Sequence, residues 1–283
     1  MFGPGRPPPP AHPNGGRFPG KAKALFDAHL HIIGPRNPGA DAGGRPAPFT
    51  VDEYLSRVAP LGVAGGAVVA GPDGGREPGP LLDALRRLGP SFVGVAELHP
   101  DTADSELRDL HAGGVRALRL DLRGGPGADL DAQVQLGMRA ADLLGWPTEL
   151  RVDAADLPRM AGRLTPLPRV SIDHLGLSAS GLPALLDFVA GGARVKASGF
   201  GQGDLDVAAA LRAVVEVNPA ALMFGTALPA AGTTSPGADA ERVRQALGVE
   251  LAAPVFWRNA LDFYGLSESP SAAGGRRSGS AVE

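Results

Sequence analysis

The stretch Phe26-Asp27-Ala28-His29-Leu30-His31, running on into Ile32-Ile33-Gly34-Pro35, carries residue types from which a chemical site is built. Apolar residues lead into it from Ala24, so it reads as a strand ending in a loop. Side chains alternate along a strand, which places Asp27, His29 and His31 on one face. Two imidazoles two residues apart can converge on one metal ion or one oxyanion. The 283 residues include no cysteine, so disulfides, thiolate metal sites and a cysteine nucleophile are excluded. Any metal would have to sit on His, Asp or Glu.

Elements that could position such a site recur along the chain. Short apolar runs predict strands over 24–31, 66–70, 91–97, 115–121, 147–152, 169–174, 193–198 and 221–226. Amphipathic segments between them predict helices over 50–58, 80–88, 104–111, 130–144, 155–164, 181–189, 205–217, 238–247 and 254–264. Thr50 followed by Glu53 is a capping-box pattern, and Gly265 supplies a C-terminal stop. Eight strands, each followed by a helix, are the arithmetic of an α/β fold, a single (β/α)8 TIM barrel over residues 22–266. An open doubly wound sheet competes, but it often carries a Gly-rich phosphate turn after its first strand, and none is present. In a barrel, strand C-termini share one rim. His29, His31, His99 and His174, four of the six histidines, fall near it.

Composition narrows the partners. Charged residues make up 20% and the net charge is −3, so no field draws nucleic acid or an anionic membrane. No apolar run approaches the roughly 18 residues of a membrane helix. Residues 1–21 and 267–283 are rich in Pro, Gly and Ser and read as disordered arms, the first lacking the apolar region of a secretory signal. The expectation is a cytoplasmic protein acting on a small-molecule substrate, with self-association left open.

Five segments in order resemble the amidohydrolase superfamily: the 26–31 stretch, Val170-Ser171-Ile172-Asp173-His174-Leu175-Gly176, Val195-Lys196-Ala197-Ser198-Gly199, Phe224-Gly225-Thr226-Ala227-Leu228-Pro229 and Asn259-Ala260-Leu261-Asp262-Phe263-Tyr264-Gly265-Leu266. The branch most resembled contains the 2-pyrone-4,6-dicarboxylate lactonases, and the resemblance spans roughly residues 24–266. It implies that His29, His31 and His174 surround a hydrolytic water and polarise a carbonyl. It implies no tightly bound metal for this branch. If Zn is held, as in many members, those three histidines are its ligands. The family places a general-base Asp at the end of strand 8, where this chain has Ala227. A methyl group neither accepts a proton nor binds metal, and general-base help is worth roughly 10²–10⁴ in rate.

Asp121 is nominated as the replacement base, with Glu97 beside His99 as a second acid at the rim. Other readings stay open: a non-hydrolytic lyase, decarboxylase, isomerase or cyclase, or a degenerate barrel that only binds. Arg119 and Arg151 are candidate carboxylate binders, because a guanidinium presents a bidentate fork. Arg119 shares parity with Asp121, so a structural ion pair between them is the competing reading. Lys196 is a Schiff-base candidate outweighed by a buried salt bridge. His99, Lys196, Ser198 and Thr226 complete the substrate-binding set. Asp173 has the opposite parity to His174 and is expected to point outward. Gly199-Phe200-Gly201-Gln202-Gly203-Asp204 could cradle an anion, although such loops are usually plain turns.

Overall fold

The computed structural model describes residues 24–34, 47–71, 77–123, 125, 127, 129–229 and 235–267. In chain order the elements are β1 Leu25–Leu30, α1 Val51–Val58, β2 Val63–Val69, α2 Gly79–Leu88, β3 Phe92–Ala96, α3 Asp104–Ala112, β4 Val115–Asp121, α4 Leu130–Leu144, β5 Thr148–Arg151, α5 Leu157–Leu164, β6 Val170–Ile172, α6 Leu182–Ala190, β7 Arg194–Ala197, α7 Val207–Val217, β8 Leu222–Phe224, α8 Pro236–Phe256 and α9 Arg258–Tyr264. The eight strands are parallel and neighbour one another in sequence order, which excludes the open-sheet alternative. The ring closes between β1 and the segment after β8: Ala227 N–H donates to the His29 carbonyl and His31 N–H to the Leu228 carbonyl, each at 2.8 Å. This is the TIM barrel that the alternation of elements implies. The expected arms, 1–21 and 267–283, lie outside the described residues except for Ser267.

Two apolar layers hold the cylinder. An outer layer packs the helices onto the strands, with Leu30, Tyr54, Leu107, Leu118, Leu150 and Leu157 buried in it. An inner cluster joins Phe26, Ala28, Val69, Val95, Ala117 and Met223 to Ala260, Leu261, Phe263 and Tyr264 of α9, so the last helix plugs the barrel floor. Thr50 caps α1 with the reciprocal Glu53 bonds that its spacing predicts. Gly265 ends α9 in a left-handed conformation. The final helix is shorter than the predicted 254–264, because the backbone breaks at Trp257 and leaves Pro254 in α8. Among the described residues, no helix is long and apolar enough to cross a membrane.

β1 departs from simple alternation. Against β2, the three steps from Asp27 to Leu30 match only two from Gly66 to Val68, a one-residue bulge. Phe26 and Ala28 face the inner cluster, and the bulge then lets His29 face inward as well. Asp27 therefore lies on the helix side, correcting the expectation that it shares a face with His29 and His31. There its carboxylate accepts hydrogen bonds from Tyr54 Oη of α1 (3.0 Å), Thr226 N (2.8 Å), Thr226 Oγ1 (2.7 Å) and His29 N (3.2 Å). Burial pushes its pKa up to about 6 against these four bonds. Asp27 thus ties the barrel's seam to its first helix.

Candidate active site

Above the apolar floor lies a buried ionic layer. Glu149 of β5 accepts from Tyr264 Oη at 2.6 Å and from Lys196 Nζ of β7 at 2.5 Å. Lys196 Nζ also lies 3.4 Å from His29 Nδ1 and 3.6 Å from Asp173 Oδ1. Arg119 of β4 donates to Asp173 Oδ2 at 2.8 Å and to the Ala70 carbonyl at 3.2 Å. Glu149 and Lys196 are fully buried, and Asp173 and Arg119 nearly so. Two cations and two anions balance, which makes the layer tolerable inside a low-dielectric core. Burial raises the Glu149 pKa although Lys196 opposes it. Burial pushes Asp173 upward as well, yet the Lys196 and Arg119 cations hold its carboxyl well below the usual carboxylate range.

The imidazoles sit on this layer. His29 Nε2 and His31 Nε2 are 3.2 Å apart, and the His29 and His174 ring centroids are 4.6 Å apart. His31 Nδ1 bonds the Val69 carbonyl at 2.8 Å, and His174 Nδ1 meets Ser198 Oγ at 3.0 Å. Burial pushes all three pKa values down, His31 to about 3 and His174 to about 4, so the rings are neutral at pH 7. Among the described residues, His174 Nε2 is the one ring nitrogen of the three without a hydrogen bond.

His174 reaches the cluster by a route that strand parity does not foresee. β6 ends at Ile172, and the chain enters a tight turn with His174 at φ 54° and Leu175 at φ 54°. Left-handed backbone is costly for residues with a Cβ and recurs at functional sites. The turn swings His174 inward one residue after Asp173, so both face the site. Asp173 does not point outward as expected. Counted from the buried Ser171, alternation itself puts Asp173 inside, and His174 is the exception. Gly199 (φ 63°) lies so close that a Cβ there would meet His174 Nδ1 at 2.5 Å, and one on Gly203 would run into the Leu177 carbonyl. Close packing under the His174 turn, rather than an anion cradle, accounts for this glycine loop.

Other expected site residues are dispersed. His99 is exposed, 58% of its side chain open, and pairs with Asp101 instead of joining the cluster; β3 ends at Ala96, before it can aim the ring inward. Asp121 does not pair with Arg119. It accepts from Arg123 at 2.8 Å and Arg151 at 3.3 Å, and although burial opposes it, Arg123 draws its pKa down, which suits a base poorly. Thr226 is turned to Asp27 with both its N–H and its hydroxyl, away from a substrate-binding role. Lys196 forms the buried ion pair that outweighed the Schiff-base reading. Arg151 stands at the mouth, about one-fifth exposed, with Arg123 beside it. Arg123 and Tyr264 were not singled out from sequence; a rim arginine two residues past Asp121 was the only cue to the first. Ala227 is buried at φ 54°, a conformation that Asp and Asn adopt more readily than Ala.

A cluster of His29, Asp173 and His174, with one donor atom from each within 4.8 Å of the others, has metal-like compactness. Its chemistry fits a dication poorly. Asp173 gives Oδ2 to Arg119, its Oδ1 has no hydrogen bond among the described residues but faces a second cation, Lys196, at 3.6 Å, and the carboxylate position after β8 is a methyl group.

Residues 26–266 match the family model described as amidohydrolase. A 2-pyrone-4,6-dicarboxylate hydrolase of Comamonas testosteroni is 31% identical over 172 residues, 59% of this chain and 56% of that protein, so the match spans little more than half of the relative. A 4-sulfomuconolactone hydrolase of Rhizobium radiobacter is 30% identical over 245 residues, 76% of this chain and 78% of that one. Among solved structures, an Agrobacterium tumefaciens protein in its apo form superposes with a TM-score of 0.76 at 22% identity, covering 89% of this chain and 98% of its own. An Acinetobacter baumannii protein with citric acid bound gives 0.73 at 19%, covering 86% and 99%, and both likenesses bear on the fold. The match runs from β1 through α9 and takes in every histidine of the cluster, so the chain belongs to the amidohydrolase family.

Proposed function

We propose that the chain opens the ring of a small carboxylated lactone, without a resident metal ion, by carbonyl polarisation from the imidazole cluster. The supporting observation is the open Nε2 of His174, set beside His29 and His31 at a rim that also carries Arg151 and Arg123. In the tautomer in which Ser198 donates to Nδ1, the His174 hydrogen lies on Nε2 and meets the carbonyl oxygen, where negative charge develops as water adds. Arg151 spends one Nη on Asp121, and the rest of its fork is suited to a substrate carboxylate. The names of the two curated relatives, a dicarboxylate and a sulfonated lactone hydrolase, agree with an anionic lactone.

Without a carboxylate at 227, water attacks unassisted by the customary base, so turnover is slower than for a site with one by the roughly 10²–10⁴ that such help supplies. The same vacancy of chemistry favours a second reading, a barrel that binds an anionic lactone without opening it. Incubating the purified chain with carboxylated and uncharged lactones separates the two. Ring opening of the carboxylated compounds, with a raised KM in Arg151→Gln, supports hydrolysis. Tight binding with no ring opening above the buffer rate supports the second reading, and neither binding nor turnover overturns both.

A further inference from the structure

The hydrogen placement around the histidine pair can be worked out from its neighbours. His31 Nδ1 lies 2.8 Å from the Val69 carbonyl, an atom that only accepts, so that nitrogen carries the hydrogen. A neutral imidazole has one N–H, which leaves His31 Nε2 as a bare lone pair. His29 Nε2 stands 3.2 Å from it. Two lone pairs at that distance repel, which favours the His29 hydrogen on Nε2, pointing at His31, whereas the Asp173 carboxylate 3.5 Å from Nδ1 pulls it the other way, so the cation beside Nδ1 decides. His29 Nδ1 is then itself an acceptor. It has two neighbours, Asp173 Oδ1 at 3.5 Å, which also only accepts, and Lys196 Nζ at 3.4 Å, which donates. The ammonium has Glu149 Oε2 and His29 Nδ1 within hydrogen-bond distance, while Asp173 Oδ1, 3.6 Å away, pairs with it by charge alone.

We propose that Lys196 is a positioning residue which, by donating to His29 Nδ1, fixes the hydrogen of His29 on Nε2 and makes His29–His31 a one-way hydrogen bond instead of two open ligands. The burial that keeps both rings neutral supports this. The pair is thereby committed internally, and substrate meets His174. Asp173, by contrast, serves to hold Lys196 and Arg119 rather than to orient His29.

The inference does not rest on the lactonase reading, because ring tautomers are read without substrate. Long-range proton–nitrogen correlation spectra of the full chain with ¹⁵N-labelled histidine report which ring nitrogen carries each hydrogen. His29 is expected with its hydrogen on Nε2 and His31 with its hydrogen on Nδ1, opposite tautomers two residues apart. His29→Gln and His31→Gln spectra assign the signals. In the charge-balanced variant Lys196→Met with Glu149→Gln, the His29 hydrogen is expected to move to Nδ1, toward Asp173. In Asp173→Asn the wild-type tautomer is expected to persist. Finding both wild-type rings bare at Nε2, whether a cation or Asp173 is responsible, overturns the proposal. So does an unmoved His29 hydrogen in the double variant. If that variant fails to fold, the wild-type spectrum alone decides.

Discussion

Removing Lys196 while keeping Glu149 should be among the most damaging single changes in the barrel, and the damage should depend on pH. Both side chains are fully buried and 2.5 Å apart, with the Asp173 Oδ1 charge 3.6 Å from the ammonium. Lys196→Met leaves Glu149 with Tyr264 as its remaining hydrogen-bond partner and no adjacent cation. Breaking a buried pair from one side costs about 3–5 kcal/mol, because a charge is left desolvated and uncompensated. Burial already raises the Glu149 pKa, and without Lys196 to oppose it the pKa climbs further. The folded variant then binds a proton that the unfolded chain does not, so its stability relative to wild type falls as pH rises through that raised value. Urea unfolding at pH 5 and pH 8 should show the larger deficit at pH 8. Adding Glu149→Gln removes the stranded charge. The double-mutant cycle should give a coupling of about 2–3 kcal/mol at pH 8. Additivity within about 0.5 kcal/mol, or equal deficits at both pH values, would refute the account of the ionic layer.

Other outcomes follow from individual contacts. Ala227→Asp restores a carboxylate on a backbone already in an Asp-compatible conformation, and kcat on a carboxylated lactone should rise by roughly 10² or more; an unchanged kcat would mean that the site no longer uses a base there. Asp27, with a folded pKa raised to about 6, contributes stability that is present below its unfolded pKa of about 4 and lost as pH rises through 6. The stability of Asp27→Asn relative to wild type should therefore climb by up to about 3 kcal/mol between pH 4 and pH 7, and a flat difference in urea unfolding would contradict this. Gly199→Ala places a methyl group against His174 Nδ1 on left-handed backbone, and should lower kcat by more than tenfold with a cooperative unfolding transition retained.

How much of this was legible in the sequence differs between scaffold and site. The barrel was readable because alternating apolar runs and amphipathic segments repeat eight times, and the caps at Thr50 and Gly265 fell where their chemistry demands. Much of the site's wiring was not, because two local departures from regular strand geometry decide it. The bulge in β1 moves Asp27 to the helix side, and the left-handed turn after β6 brings His174 in beside Asp173. Parity arguments assume an unbroken pleat and fail at both places. Partner choice among charges was equally hidden. Arg119 was matched to Asp121 on its own strand, whereas the barrel offers it Asp173 from two strands away. His99 looked like a rim residue from its position after β3, but nothing in its neighbours directs the ring inward.

The central claim is that the open Nε2 of His174 polarises the carbonyl of an anionic lactone. Its most direct test is kcat for wild type and His174→Ala on a carboxylated lactone, with unfolding by urea as the control for fold. A loss of 10²–10³ in kcat with a native-like cooperative transition is expected, the usual cost of removing one oxyanion donor. An unchanged kcat in a folded His174→Ala protein would contradict the account.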